Sequence, residues 1–208
     1  MRLRKDSKAE EKLELSNLLI KQTDKKILLK ETDVLEIGMG KGEMITKLAK
    51  LNPNIHYYGL EKYATVAAKA AKRAINLELK NFNIVLEDAS KLTDLFEGQC
   101  NTIWLTFSDP WPKARHIKRR LTYKTFLNLY ASILTKDGLL KFKSDNDKLY
   151  EFTLESLKEN NWQIIDYGTD LHTSKYNDEN QTTGYEDKWS ALGKNINFIW
   201  AKKPKTDI

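Results

Sequence analysis

The chain has 208 residues, of which 40% are hydrophobic and 31% are charged, as is typical of one α/β domain with a short appended arm. A single cysteine, Cys100, excludes an intrachain disulfide and a cysteine-based metal site, and His56, His116 and His172 lack the spacing of metal ligands. No apolar run is long enough for a signal peptide or a membrane span, so a soluble cytoplasmic protein is expected, and the net charge of +6 suits an anionic partner.

The charged stretch at the start of the chain predicts a basic, partly ordered N-terminal arm over residues 1–30, followed by a single domain over residues 31–208. Four cations of this arm, Arg2, Arg4, Lys5 and Lys8, could contact phosphates. A solvated, frayed terminus accounts for the same residues equally well.

Hydrophobic patterning then alternates strands with helices. The predicted strands cover residues 33–37, 55–60, 84–86, 101–107, 139–143, 162–165 and 197–201. The predicted helices cover residues 43–50, 63–79, 121–134 and 147–160, and a polar loop covers about residues 168–195. This alternation predicts an α/β fold with a mostly parallel seven-stranded sheet and helices on both faces.

An acidic residue lies at or near the end of each of five predicted strands. These residues are Glu36, Glu61, Asp88, Asp109 and Asp145. Any one of them could be an ordinary turn or helix-cap residue. Because the carboxyl ends of parallel strands meet at one edge, where such sheets bind ligands, the five together favour a binding site at that edge.

The loop after the first of these strands reads Gly38-Met-Gly40-Lys-Gly42 and precedes a helix, so it brings a ligand close to the backbone. A dinucleotide fingerprint needs a different glycine spacing, and Glu43 at the helix start is unfavourable for a pyrophosphate, so NAD is disfavoured. The loop instead resembles the Glu/Asp-x-Gly-x-Gly motif of S-adenosylmethionine-dependent methyltransferases. That resemblance assigns Glu36 to the amino acid end of the cofactor, and it fits Glu61 at the ribose hydroxyls and Asp88 at the adenine amino group.

The segment that follows the fourth main strand, residues 108–121, is called the signature segment below. It reads Ser-Asp-Pro-Trp-Pro-Lys-Ala-Arg-His-Ile-Lys-Arg-Arg-Leu. The prolines on either side of Trp111 predict a stiff, extended backbone after Asp109. A run of cations follows, namely Lys113, Arg115, Lys118, Arg119 and Arg120. A rigid acid beside a polycation predicts chemistry on an anionic substrate.

The signature segment closely resembles that of the bacterial tRNA (guanine-N7)-methyltransferases. Leu35–Gly38, Gly59–Glu61, Lys143–Asn146 and Thr183–Glu186 agree with the same family. The resemblance covers about residues 33–202. It implies a Rossmann-like class I methyltransferase that transfers methyl from S-adenosylmethionine to N7 of the variable-loop guanine of tRNA, nucleotide 46 in the usual count.

The same resemblance implies roles for individual residues. Asp109 is the proposed catalytic residue and a cofactor contact, and the other cofactor contacts are Glu36, Gly38, Gly40, Glu61 and Asp88. The substrate contacts are Lys113, Asp145, Thr183, Gly184, Tyr185 and Glu186. The remaining basic positions, Arg115, His116, Lys118, Arg119 and Arg120, would bind RNA phosphates, which makes binding sensitive to salt. A stacked guanine must be turned out, and Trp111, Tyr185 and Trp189 are candidates to stack on it, with core packing as the alternative for each.

Other functions fit the sequence less well. The basic segment beside the acidic edge disfavours a methyltransferase for a small molecule or a protein, and the intact Glu36, Gly38, Gly40, Glu61 and Asp109 disfavour a non-catalytic RNA-binding module on the same fold. The glycine spacing disfavours a dehydrogenase. The enzyme is expected to act on tRNA as a monomer or homodimer, away from membranes and without a metal.

Overall fold

A computed structural model describes residues 6–21 and 25–205. The strands are β1 (Ile27–Leu29), β2 (Val34–Ile37), β3 (Tyr57–Glu61), β4 (Phe82–Leu86), β5 (Phe96–Gly98), β6 (Cys100–Thr106), β7 (Leu134–Ser144), β8 (Gln163–Gly168) and β9 (Asn197–Lys202). The helices are α1 (Ala9–Leu15), α2 (Glu43–Leu51), α3 (Ala64–Asn76), α4 (Leu92–Leu95), α5 (Lys124–Ile133), α6 (Asp147–Glu159) and α7 (Gly184–Ala191). No helix within the described ranges is long and apolar enough to cross a membrane.

Seven of the strands form one sheet in the order β4-β3-β2-β6-β7-β9-β8. All neighbours pair in parallel except β9, which is antiparallel to β7 and to β8. The predicted mostly parallel seven-stranded sheet is therefore confirmed. From β2 the chain moves outward to β3 and β4, and later returns to place β6 on the other side of β2, so a topological switch point lies between β2 and β6. Ligands of open α/β sheets bind at such a point.

The sheet separates two apolar cores. Leu35, Ile103 and Leu105 project to the side where α5 and α6 pack. Trp104 and Trp200 project to the other side, with the buried faces of α2 and α3. The alternation of strand side chains thus places helices on both faces, as predicted.

The predicted polar loop over residues 168–195 is wrong in part, because it contains α7 and two short 3₁₀ turns, Leu171–Thr173 and Asn177–Glu179. Helix α7 begins with a capping box in which Thr183 and Glu186 satisfy each other's backbone N–H groups. Only one residue of α7 is buried, so it lacks the apolar period by which amphipathic helices are recognised.

Helix α5 begins at Lys124, later than the predicted Leu121. Of the three preceding residues, Thr122 is bonded to side chains of α6. The Thr122 hydroxyl lies 2.9 Å from the hydroxyl of Thr153, and Ser156 Oγ donates to the Thr122 carbonyl at 2.7 Å. The second bond takes the Thr122 carbonyl, which an earlier helical turn would use as an acceptor.

The described part of the N-terminal segment packs on the domain. Ala9 and Leu13 of α1 are buried against α3. Farther along, Ile84 of β4 exchanges two backbone hydrogen bonds with Leu18 and Ile20, so this segment lines the outer edge of β4. Of the cations predicted to meet phosphates, Lys8 is exposed, whereas Arg2, Arg4 and Lys5 lie outside the described residues. The domain boundary at residue 30 stays a prediction.

Candidate active site

The glycine loop lies at the switch point, between the end of β2 and the start of α2. Gly38, Gly40 and Gly42 all have positive φ, between 56° and 73°. A Cβ on Gly42 would lie 2.7 Å from Ala70 Cβ, so this glycine is required by the contact of α2 with α3. A Cβ on Gly40 would meet nothing within 4 Å. The loop therefore offers open space beside its backbone at Gly40, where a ligand can approach.

Glu36 lies in β2 under this loop, with only 2% of its surface exposed. Its Oε2 atom has no hydrogen-bond partner among the described residues. Burial raises the pKa of Glu36 to about 8, and the Thr106 hydroxyl and the charge of Lys143 oppose that rise. A buried carboxyl with an unused oxygen is suited to a cationic partner.

Glu61 is the last residue of β3, and Asp88 follows β4 by two residues, on the way to the outer edge of the sheet. Glu61 accepts hydrogen bonds from the backbone N–H groups of Gly40 and Tyr63, both at 3.0 Å, so it ties the glycine loop to the end of β3. Burial raises its pKa. Asp88 is partly exposed and accepts from Ser90 N at 2.9 Å. Burial would raise the pKa of Asp88, but that hydrogen bond and the charge of Lys62 outweigh burial and lower it.

Asp109 follows β6 by three residues and is exposed. Its carboxylate has no hydrogen-bond or ion-pair partner among residues 6–21 and 25–205. The neighbouring strand ends in the same way, because Thr106 of β6 pairs with Lys143 of β7 and Asp145 follows Lys143 by two residues. The structure thus brings two predicted site acids to adjacent strand ends.

The backbone of the signature segment departs from its prediction. It is not extended throughout, since Trp111 has φ of 41° and residues Ala114–Arg119 form a 3₁₀ helix. Arg120 stabilises this path, because its Nε donates to the Pro110 carbonyl at 3.0 Å and its Nη2 to the Trp111 carbonyl at 3.3 Å. Its guanidinium also lies 4.4 Å from the ring centroid of Phe152. Arg120 therefore shapes the segment that carries Asp109, a role that the sequence did not predict.

The other cations of the signature segment point outward. Lys113, Arg115 and Lys118 are exposed and have no ion-pair or hydrogen-bond partner in the described part of the chain. Arg119 lies over the Trp111 ring at 4.9 Å, and the His116 ring meets the edge of the same indole at 5.6 Å. One face of Trp111 is thus covered by a cation.

Asp145 is fixed by an aromatic group. The Tyr185 hydroxyl donates to Asp145 Oδ2 at 3.0 Å, and 46% of the Tyr185 surface is exposed. Burial, with the hydrogen bond to Asp145, raises the pKa of Tyr185. The tyrosine ring packs edge-on against Phe107 and Trp189, with centroids 5.3 and 6.0 Å away. Tyr185 therefore offers an accessible aromatic surface beside a predicted substrate-binding acid.

Glu186, predicted as a substrate contact, is fully buried. Its Oε2 lies 2.7 Å from Lys143 Nζ, and its Oε1 lies 2.8 Å from His172 Nε2 and 2.9 Å from Asn180 Nδ2. Burial alone would raise the pKa of Glu186, but the charge of Lys143 and these bonds hold it below its usual value. In this structure the carboxylate joins α7 to Lys143 of β7 and to the loop residues His172 and Asn180, and it has no exposed oxygen for a substrate.

The two residues before Tyr185 have structural partners as well. Thr183 is the N-cap of α7, and the Gly184 N–H donates to Glu43 Oε2 at 2.6 Å. Glu43 also pairs with Arg73 at 3.4 Å. The start of α7 is thereby attached to the start of α2, next to the glycine loop.

Sequence reasoning missed Lys143, which connects the sheet to the segment before α7. Its side chain is fully buried, and its Nζ donates to Asn180 Oδ1 at 2.8 Å and to the Gln181 carbonyl at 3.0 Å, besides Glu186. A signal was present, since a lysine at a buried position of a central parallel strand needs a buried anion.

Comparisons with known proteins agree on the family. A family model described as "Putative methyltransferase" matches residues 30–199. The tRNA (guanine-N(7)-)-methyltransferase of Mycoplasmopsis agalactiae is 64% identical over 203 residues, which cover 98% of this chain and 99% of that protein. The protein of the same name from Metamycoplasma hominis is 52% identical over 199 residues, which cover 96% and 98% of the two chains.

A solved structure of an antibiotic-related methyltransferase has a TM-score of 0.59 and 18% identity, and the match covers 98% of this chain and 97% of that one. The shared architecture is the Rossmann-like class I methyltransferase fold that the sequence predicted. Together with the full-length similarity of the two relatives, these matches show that the chain belongs to the tRNA (guanine-N(7)-)-methyltransferase family.

Proposed function

We propose that this protein transfers the methyl group of S-adenosylmethionine to N7 of the variable-loop guanine of tRNA, nucleotide 46. The observation that carries the proposal is the meeting, at one sheet edge, of an open glycine loop, a free Asp109 and a segment of unpaired cations. Relatives that match nearly the whole chain carry the name of this activity, which supports the same assignment. Such an enzyme acts where tRNA is modified, in the cytoplasm.

The glycine loop and its neighbouring acids fit S-adenosylmethionine. Open space beside Gly40 admits a ligand, and the unpartnered Glu36 Oε2 suits the cationic amino group of the methionine part. Glu61 and Asp88 would accept hydrogen bonds from the ribose hydroxyls and the adenine amino group. When bound, S-adenosylmethionine supplies a methyl group made electrophilic by its sulfonium.

The chemistry of guanine determines what the protein must add. Guanine N7 has an in-plane lone pair and no proton to lose, so no strong base is needed. Aligned reactants can save about 7–11 kcal/mol of barrier, which makes positioning the main task. Methylation leaves the base positively charged, and a nearby carboxylate stabilises that charge as it develops. Asp109 would accept from the guanine N1–H and exocyclic amine, and its unpaired charge would face the developing cation.

Asp145 and Tyr185 would hold the base beside Asp109. The hydrogen bond between them orients the carboxylate, and the exposed tyrosine ring is available for stacking on a guanine turned out of the tRNA. Trp111 and Trp189 are further stacking candidates. Glu186 would support the site indirectly, by holding Lys143 and the start of α7 in place, because its oxygens are occupied. Lys113, Arg115, His116, Lys118 and Arg119 would contact RNA phosphates.

The test is to incubate the protein with methyl-labelled S-adenosylmethionine and unmodified tRNA, and to locate the label by chemical cleavage at 7-methylguanine. We expect label at nucleotide 46 only. A matched transcript with adenine at that nucleotide should stay unlabelled. Label elsewhere, or none despite cofactor binding, would overturn the proposal.

The role of Asp109 is tested with Asp109→Asn, which keeps the shape and removes the charge. Turnover should fall by at least about 100-fold, in line with the loss of one preorganised electrostatic partner. Cofactor affinity should change much less. Near-normal turnover with unchanged guanine affinity would show that Asp109 does not have this role.

A further inference from the structure

A cleft of about 390 Å³ lies between α2 and α3, outside the candidate active site. Its wall is strongly basic and contains no acidic side chain. The lining residues are Lys47, Lys69, Lys72, Arg73, Asn76 and Leu77.

Most of this positive charge is uncompensated. Lys69 and Lys72 are exposed and have no hydrogen-bond or ion-pair partner among the residues that the structure describes. Lys47 Nζ donates to the Thr182 carbonyl at 2.7 Å, and this partner carries no negative charge. Only Arg73 faces a carboxylate, that of Glu43 at 3.4 Å. An anion entering the cleft therefore meets three cations whose charge no acid balances.

The α3 side of the cleft is an ordered row. Lys69, Lys72 and Asn76 are three and four residues apart, so they follow one another on successive turns of one helix face. A row of cations and an amide at helical spacing suits a ligand with repeated anionic groups, such as the sugar–phosphate backbone of a nucleic acid.

The cleft adjoins the candidate active site through the segment that leads into α7. Lys47 holds the Thr182 carbonyl, and Glu43, the partner of Arg73, accepts from the Gly184 N–H at 2.6 Å. The next residue, Tyr185, donates to Asp145. The cleft thus opens directly beside the segment that carries a candidate base-stacking residue.

The cleft and the signature segment lie on opposite faces of the sheet. Helices α2 and α3 pack on one face of the sheet, whereas the signature segment runs into α5 on the other face. The carboxylates at the edge repel phosphates, so an RNA that presents a base to them is held best by cations on both sides.

We propose that the cleft between α2 and α3 binds backbone phosphates of the tRNA substrate, as a second RNA contact opposite the signature segment. This inference rests on the proposed function. Lys69 and Lys72 are its central contacts, with Lys47 and Arg73 at the side nearest the active site.

The test compares Lys69→Ala/Lys72→Ala with Lys136→Ala/Lys158→Ala, which removes the same charge from exposed lysines of β7 and α6 that do not line the cleft. Binding of unmodified tRNA is measured between 50 and 200 mM KCl. Affinity falls as salt rises, and each lost phosphate contact makes the slope of log affinity against log salt less steep by about 0.7–0.9. Over this fourfold salt range, the affinity of the wild type should fall about tenfold more than that of the cleft variant, if both contacts are lost.

The control variant should keep a salt slope close to that of the wild type. Equal slopes for the wild type and the cleft variant would overturn the inference. It would also be overturned if the control variant lost as much of the salt slope as the cleft variant, because the lower net charge alone would then explain the change. Circular dichroism and cofactor binding check that the variants are folded. Methylation by the wild type is scored separately. Absence of label at nucleotide 46 overturns the proposed function, whereas the slopes decide the role of the cleft.

Discussion

Replacing Lys143 by methionine tests the buried network behind the candidate active site. Methionine keeps the length and volume of the side chain but removes its ammonium group. Three acceptors each lose one donor, namely Glu186 Oε2, Asn180 Oδ1 and the Gln181 carbonyl. The side chains of both Lys143 and Glu186 have no exposed surface, so water cannot take the place of the ammonium.

Removal of one partner from a buried ion pair costs about 3–5 kcal/mol, because the other charge is left without compensation. Glu186 keeps its contacts with His172 and Asn180, and these limit the loss to that range. Native domains are stable by about 5–15 kcal/mol, so this single change would remove a large part of the total. The midpoint of thermal unfolding should fall by about 6–20 °C for a domain of this size.

The assay is urea unfolding of the wild type and of Lys143→Met. Lys141→Met is the matched control. Lys141 lies two residues away in the same strand and also contacts the Trp104 and Trp200 rings. Its partner Glu179 is exposed and 3.7 Å distant, so Lys141→Met leaves no buried charge uncompensated and should cost less than Lys143→Met. Adding Glu186→Gln to Lys143→Met should recover part of the stability, because the amide needs no counter-charge. A loss below about 1 kcal/mol for Lys143→Met would refute this account of the network.

Three further predictions concern single side chains. Arg120→Lys loses the two-nitrogen contact with the backbone of the signature segment, so turnover should fall about 10–100-fold. The control Arg115→Lys, at an exposed position, should change turnover little. Equal effects of the two substitutions would contradict a positioning role for Arg120. Because burial raises the pKa of Glu36 to about 8 from 4.5, the stability it contributes is fully present below pH 4.5 and is lost as pH rises through about 8. When unfolding free energies at pH 5 and pH 8 are compared, Glu36→Gln should lack this decline. An equal decline in wild type and variant would show that another group causes the loss of stability. Burial raises the pKa of the Cys100 thiol to about 12, so iodoacetamide should label it at pH 8 only after unfolding. Rapid labelling of the native protein would contradict the burial of this thiol.

The sequence predicted the elements whose signals are local. Apolar runs such as Ile103–Leu105 mark buried parallel strands, and an acid after a strand lies at the ligand-binding edge once the strands are parallel. The confirmed sheet and the positions of Asp109 and Asp145 at adjacent strand ends follow from these two facts.

Other features depend on contacts between residues distant in sequence. Lys143 and Glu186 are 43 residues apart, and neither position reveals its partner to a periodicity argument. Helix α7 was missed because it buries a single side chain, although its Thr183-x-x-Glu186 capping box is a local signal that was available. The φ of Trp111 depends on Arg120, nine residues later, and proline rules alone favour an extended backbone there.

The N-terminal segment that lies along β4 protects the outer edge of the sheet. β4 is an outer strand of the sheet, and an uncovered outer strand offers unpaired N–H and C=O groups to a second chain. A protein shortened to begin at residue 25 would keep β1 and every candidate site residue, yet it would lose the backbone partners of Ile84 and the packing of α1 on α3. Its first failure would then be strand-to-strand self-association and aggregation, with the chemistry of the site still intact in each folded molecule.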